Sequence, residues 1–112
     1  MNEIVVIDYG VGNLLSVKRG LEYCGAKAII TSKPEDIINA TKIILPGVGA
    51  FKNAMQSLES LGLVKAIQEV ANRKINLLGI CLGMQLLLDE SDEFGLTKGL
   101  GLIPGRVVAI PP

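Results

Sequence analysis

The chain has 112 residues, enough for one small domain with a core of its own and too few for two. Hydrophobic residues make up 49% and charged residues 20%, so a disordered or collagen-like segment is excluded; 11 basic against 11 acidic side chains leave no net field to draw in nucleic acid or an anionic membrane. Histidine and tryptophan are both missing, so the commonest general base cannot come from this sequence and base or sugar stacking has little to rest on.

Ile4-Val5-Val6-Ile7 is an uninterrupted β-branched run, the pattern of a strand covered on both faces in a parallel sheet. Beyond Gly10 and Gly12 the period changes: Leu14, Val17, Leu21 and Cys24 make one apolar helix stripe, with Gly25 as the stop. That stripe predicts a core position for Cys24. Ala28-Ile29-Ile30 predicts a second strand, and Ser32 with Glu35 has capping-box spacing for a short helix through Ile37 and Ile38. Lys42-Ile43-Ile44-Leu45 is a third strand closed by Pro46-Gly47-Val48-Gly49, and two helices follow, from Ala50 to about Ser60 and from Leu63 to about Arg73. Asn76 to Ile80 is a fourth strand, feeding Cys81 and a helix through Met84, Leu87 and Leu88; Arg106 to Ile110 predicts a fifth. The acidic residues Asp89, Glu90, Asp92 and Glu93 read as a solvated helix end and loop.

This alternation predicts an α/β fold, a flavodoxin-like open and mostly parallel sheet with helices on both faces. The chain stops at Pro111-Pro112 directly after a strand-like run, which predicts that residues 1–112 are the N-terminal portion of a single domain, with an uncovered apolar face and a tendency to self-associate. Met1-Asn2-Glu3 leads straight into the first strand without a signal peptide, no apolar run reaches the roughly 20 residues that span a bilayer, and the cysteines lack disulfide or metal spacing. A cytoplasmic setting, no membrane and no metal are expected.

In such sheets ligands bind at the carboxyl ends of the strands, here the loops after Ile7, Leu45 and Ile80. Gly10-Val11-Gly12 lacks the third glycine of a dinucleotide loop, having Leu15 there; Gly47-Val48-Gly49 fails likewise at Lys52, and no phosphate-binding P-loop occurs, so no cofactor is expected. Gly79-Ile80-Cys81-Leu82-Gly83 is more specific. It has the form of a nucleophile elbow with cysteine in place of serine, set between a predicted strand and helix. A nucleophile at the apex of so tight a turn needs strained backbone angles and small neighbours two residues either side, which Gly79 and Gly83 supply. A helix N-terminus would also favour the thiolate. The alternative is a buried structural cysteine between packing glycines. For the oxyanion formed on attack, the N–H of Leu82 is one candidate donor and that of Val48 the second, unless Pro46 to Gly49 is an ordinary strand-to-helix turn.

At these residues the chain resembles the class I, triad-type glutamine amidotransferases: Gly79-Ile80-Cys81-Leu82-Gly83-Met84-Gln85 and Pro46-Gly47-Val48-Gly49 carry the likeness. Asp8-Tyr9-Gly10-Val11-Gly12-Asn13-Leu14, Gly49-Ala50-Phe51 and Gly99-Leu100-Gly101-Leu102-Ile103-Pro104-Gly105 narrow it to the glutaminase subunits of imidazole glycerol phosphate synthases. The resemblance implies a cysteine glutaminase that hydrolyses glutamine through a thioester and passes ammonia to a cyclase subunit with a (β/α)₈ barrel, as a heterodimer in histidine biosynthesis. By the same resemblance Cys81 is the nucleophile, Val48 and Leu82 are oxyanion donors, Gly47, Gly49 and Gln85 hold glutamine, and Asn13 faces the partner. The family's catalytic His and Glu lie in a C-terminal segment without a counterpart here, so this segment alone is expected to be inactive. Two other readings stay open: another elbow-cysteine hydrolase of similar fold, and a non-catalytic flavodoxin-like binding module.

Overall fold

The computed structural model describes residues 3–111; Met1, Asn2 and Pro112, used above in reading the chain ends, lie outside the described residues. Strand β1 (Glu3–Ile7) is followed by α1 (Leu14–Tyr23), β2 (Lys27–Thr31), α2 (Pro34–Ile38), β3 (Lys42–Leu45), α3 (Phe51–Ser60), α4 (Leu63–Asn72) and β4 (Asn76–Gly79). The four strands form one parallel sheet in the order β2-β1-β3-β4, with Val5 opposite Ile29 and Ile43, and Leu45 opposite Gly79. Parallel pairing follows from the helical crossovers between the strands.

Alternation along each strand divides the sheet into two unlike faces. Val5, Ile7, Ile43 and Leu45 join Ile37 of α2, Phe51, Ala54 and Leu58 of α3, and Leu63, Ile67 and Val70 of α4 in a single buried core. On the other face Ile4, Ile44 and Leu78 line an open groove with Leu21 of α1, and Leu78 on the edge strand β4 is 57% exposed. An apolar groove beside an open sheet edge favours association. Sedimentation of the 112-residue chain is expected to show a weight that rises with concentration; a monomer at every concentration would contradict this.

Three expectations are corrected. Cys24 is exposed, not in the core: the helix ends at Tyr23, Cys24 is its C-cap, and a side chain beyond the last turn no longer follows the helical stripe. No residue of α1 is fully buried. The capping box at Ser32 is not used, because Pro34 takes the first helical position and makes Lys33 the N-cap. Thr31 ties the turn instead, accepting from the Lys33 N–H at 3.1 Å and donating to Asp36 at 2.5 Å.

The third correction concerns the chain after Cys81. Helix α5 spans only Leu82–Leu86, and Leu88–Ser91 is a strand, β5, paired antiparallel with β6 (Thr97–Lys98) and parallel with β7 (Ile103–Val107). The expected fifth strand thus starts earlier and joins a second, three-stranded sheet. Carbonyls of Leu86, Leu87 and Leu88 accept the N–H groups of Leu100, Leu102 and Gly101, which draws the Gly99 to Ile103 segment alongside and ends the helix. Two members of the acidic run serve that sheet: Glu90 pairs with Arg106 at 3.0 Å, and Asp89 accepts the Gly105 N–H at 3.1 Å. Among the described residues no helix is long and apolar enough to cross a membrane.

Candidate active site

The loops after β1, β3 and β4 meet at the carboxyl end of the sheet. The Ile80 N–H donates to the Leu45 carbonyl at 3.0 Å, extending the ladder one residue past β4, and then the chain turns sharply. Cys81, at the apex, has φ 54° and ψ −120°, a combination that costs a non-glycine residue about 1–3 kcal/mol. Neighbouring bonds over-determine it: Gly83 N–H to Ile80 at 2.9 Å, and the Met84 and Gln85 N–H groups to the Cys81 carbonyl at 3.0 and 3.3 Å. The thiol-bearing residue is exposed.

The two flanking glycines are sterically required. A Cβ on Gly79 would lie 2.7 Å from the Met84 Cα, and one on Gly83 would lie 1.8 Å from the Leu45 carbonyl oxygen, both backbone atoms with nowhere to go. The sequence pattern expected small residues here, and the geometry supplies the reason: the elbow is pressed against the end of β3.

Pro46-Gly47-Val48-Gly49 lies directly beneath it. Pro46 and Gly47 are buried, whereas Val48 is 60% exposed and Gly49 has φ +99°, open to glycine and strained for other residues. Gly12, from the loop after β1, packs onto this turn; a Cβ there would come within 3.3 Å of Pro46. The Tyr9 hydroxyl, on the same loop, donates to the Pro46 carbonyl at 2.5 Å.

The two expected oxyanion donors do not converge in this conformation. The buried Leu82 N–H donates to the Gly47 carbonyl at 3.2 Å. The Val48 N–H belongs to that same peptide unit and, in a planar trans peptide, points opposite to the carbonyl. The physical reason is that a buried N–H takes the nearest acceptor. Turning the Gly47–Val48 peptide over would free Leu82 and bring the Val48 N–H round to the same side.

Gln85 is half-buried on α5, one turn beyond Cys81. Asn13 is exposed, and its side chain accepts the Ser16 N–H at 3.2 Å as the N-cap of α1, a local role the sequence reading did not include. Glu93 is the residue that reading missed: its carboxylate accepts the Phe51 N–H at 3.4 Å, capping α3 just after the Gly49 corner. The signal was there in Ala50, an N-cap with no side-chain acceptor of its own. A cavity of about 690 Å³ between α4 and the second sheet is lined by Gln68, Asp89, Glu90, Leu96, Lys98 and neighbouring residues, none from these three loops.

Residues 5–97 match the model of the family described as glutamine amidotransferase class-I. The chain is 56% identical over 108 residues to the imidazole glycerol phosphate synthase subunit HisH of a Geobacillus species, a match covering 96% of this chain and 51% of that protein. It is 50% identical over 111 residues to the subunit of the same name from Geobacter sulfurreducens, covering 99% and 53%. The chain therefore spans about half the length of the curated relatives it matches. Among solved structures a glutamine amidotransferase superposes with a TM-score of 0.79 at 21% identity, over 93% of this chain and 55% of that one, which is a likeness of fold.

Proposed function

The chain belongs to the class-I glutamine amidotransferase family, and from that premise we propose that it is the nucleophile-bearing part of a cysteine glutaminase feeding ammonia to a synthase partner. The observation that carries the reading is Cys81 held at φ 54° between Gly79 and Gly83, a strain that a scaffold role does not require. The Cys81 thiolate attacks the side-chain amide carbonyl of glutamine, and the tetrahedral oxyanion collapses to a thioester as protonated nitrogen leaves as ammonia. Water then attacks the thioester, giving glutamate and the free thiol.

Leu82 and Val48 supply the oxyanion donors once the Gly47–Val48 peptide has turned over. Gly47, Gly49 and Gln85 form the glutamine cradle, and the Glu93 carboxylate at the same corner suits the substrate's α-ammonium. Asn13 faces the partner. The base that deprotonates the thiol comes from outside these residues, since the sequence has no histidine, and glutamine turnover by the 112-residue chain alone is expected to be absent. The partner in this reading is a (β/α)₈-barrel cyclase, joined as a cytoplasmic heterodimer that makes imidazole glycerol phosphate for histidine biosynthesis; identity to the HisH subunits over nearly the whole chain supports it.

Selective labelling tests the site. Cys24 and Cys81 are both exposed, so a small electrophile such as iodoacetamide reaches each of them. A glutamine-shaped diazo-ketone is expected to label Cys81 alone in the full-length protein, and excess glutamine should protect it. Labelling of Cys24 in preference, located by peptide mass mapping, would overturn the assignment.

A further inference from the structure

Tyr9 is buried, with 2% of its surface exposed, and its hydroxyl reaches the loop beneath the elbow. It donates to the Pro46 carbonyl at 2.5 Å across 37 residues of sequence, and a Cβ built on Gly47 would come within 2.6 Å of the Tyr9 hydroxyl oxygen and 2.9 Å of the Gly83 nitrogen. Gly47 is therefore clasped between the Tyr9 hydroxyl and the elbow.

We propose that Tyr9 is a positioning residue: its hydroxyl pins the Pro46–Gly47 peptide, so that turning of the oxyanion loop is confined to the Gly47–Val48 peptide. A peptide unit is rigid, and fixing the Pro46 carbonyl fixes the Gly47 nitrogen with it. Rotation about Gly47 ψ and Val48 φ then swings the next peptide while both of its Cα ends stay in place, and Gly47, with no Cβ, takes its share of the change without a side-chain clash. Without the pin, the buried Pro46 carbonyl loses its partner and the whole turn is free to drift from the elbow. Burial pushes the Tyr9 hydroxyl up to about 12, so it remains a neutral donor throughout the working range.

The proposal rests on the glutaminase reading for its kinetic consequence and on the loop geometry alone for its structural one. In the full-length protein with its cyclase partner, Tyr9→Phe is expected to lower kcat for glutamine about tenfold, as misplacement of a donor does. KM and the shape of the pH profile should stay as they are, and so should the rate of Cys81 alkylation by iodoacetamide. An unchanged kcat, or a parallel loss of kcat and alkylation rate, would overturn the role. The second measurement needs no turnover: exchange of the Leu82 amide proton, held by the Gly47 carbonyl, should quicken about tenfold in Tyr9→Phe if the pin is real, and an unchanged rate would refute it. Should Tyr9→Phe fail to fold, carbonyl ¹³C shifts of the wild-type protein decide the matter. When the diazo-ketone reacts, Gly47 should move and Pro46 should not; movement of both refutes confinement. Wild-type protein that never consumes glutamine would count against the functional reading, while the amide exchange would still decide the pin.

Discussion

Cys81→Ala in the full-length protein with its partner is expected to abolish glutamine-dependent synthesis, by roughly 10³-fold or more, because no second nucleophile stands at the elbow. Synthesis from added ammonium salt should be unaffected, since the partner consumes only ammonia. Assaying both nitrogen sources with the same preparation separates loss of the nucleophile from loss of the complex. Equal decline with both would mean that Cys81 holds the structure together and does not carry the chemistry. A companion variant sharpens the point. Cys81→Gly should be just as inactive yet more stable than Cys81→Ala by about 1 kcal/mol, because glycine accepts φ 54° without the strain that alanine keeps. Thermal denaturation of the two variants measures that difference.

Gly83→Ala carries the second large effect. Its Cβ would lie 1.8 Å from the Leu45 carbonyl oxygen and 2.7 Å from the Leu45 carbonyl carbon, in the backbone of a central strand. No flexible side chain can give way, so the elbow itself must lift from β3. Overpacking of this kind costs about 3 kcal/mol, and a displacement of Cys81 by ~1 Å lowers the rate by about 10²-fold. Gly20→Ala is the matched control: a Cβ there meets nothing within 4 Å, the position is inside α1, and alanine should stabilise it by about 0.5–1 kcal/mol. Glutaminase kinetics and chemical denaturation of both variants test the pair. Unchanged kinetics in Gly83→Ala would show that the turn is not clamped against β3.

Local signals carried the elbow and the sheet. The Gly-x-Cys-x-Gly spacing is a steric requirement written within five residues, and runs such as Ile43-Ile44-Leu45 mark buried parallel strands through side-chain type alone. The same holds for α3 and α4, whose apolar periods face one core and whose ends fall within a residue of those expected.

What the sequence left undecided depends on partners distant in the chain. Whether Cys24 is covered rests on where α1 stops relative to the sheet, and Leu88 becomes a strand residue, not a helical one, because Gly101 and its neighbours bind the carbonyls around it. Tyr9 meets Pro46, Glu93 meets Phe51, and the Leu82 N–H meets Gly47 only after three loops have been gathered at one end of the sheet. A pattern of residue types specifies which turn can hold a nucleophile, since that is a matter of Cβ atoms and neighbouring angles. The direction of each loop carbonyl is set by long-range hydrogen bonds, and that direction decides whether the oxyanion donors face the substrate.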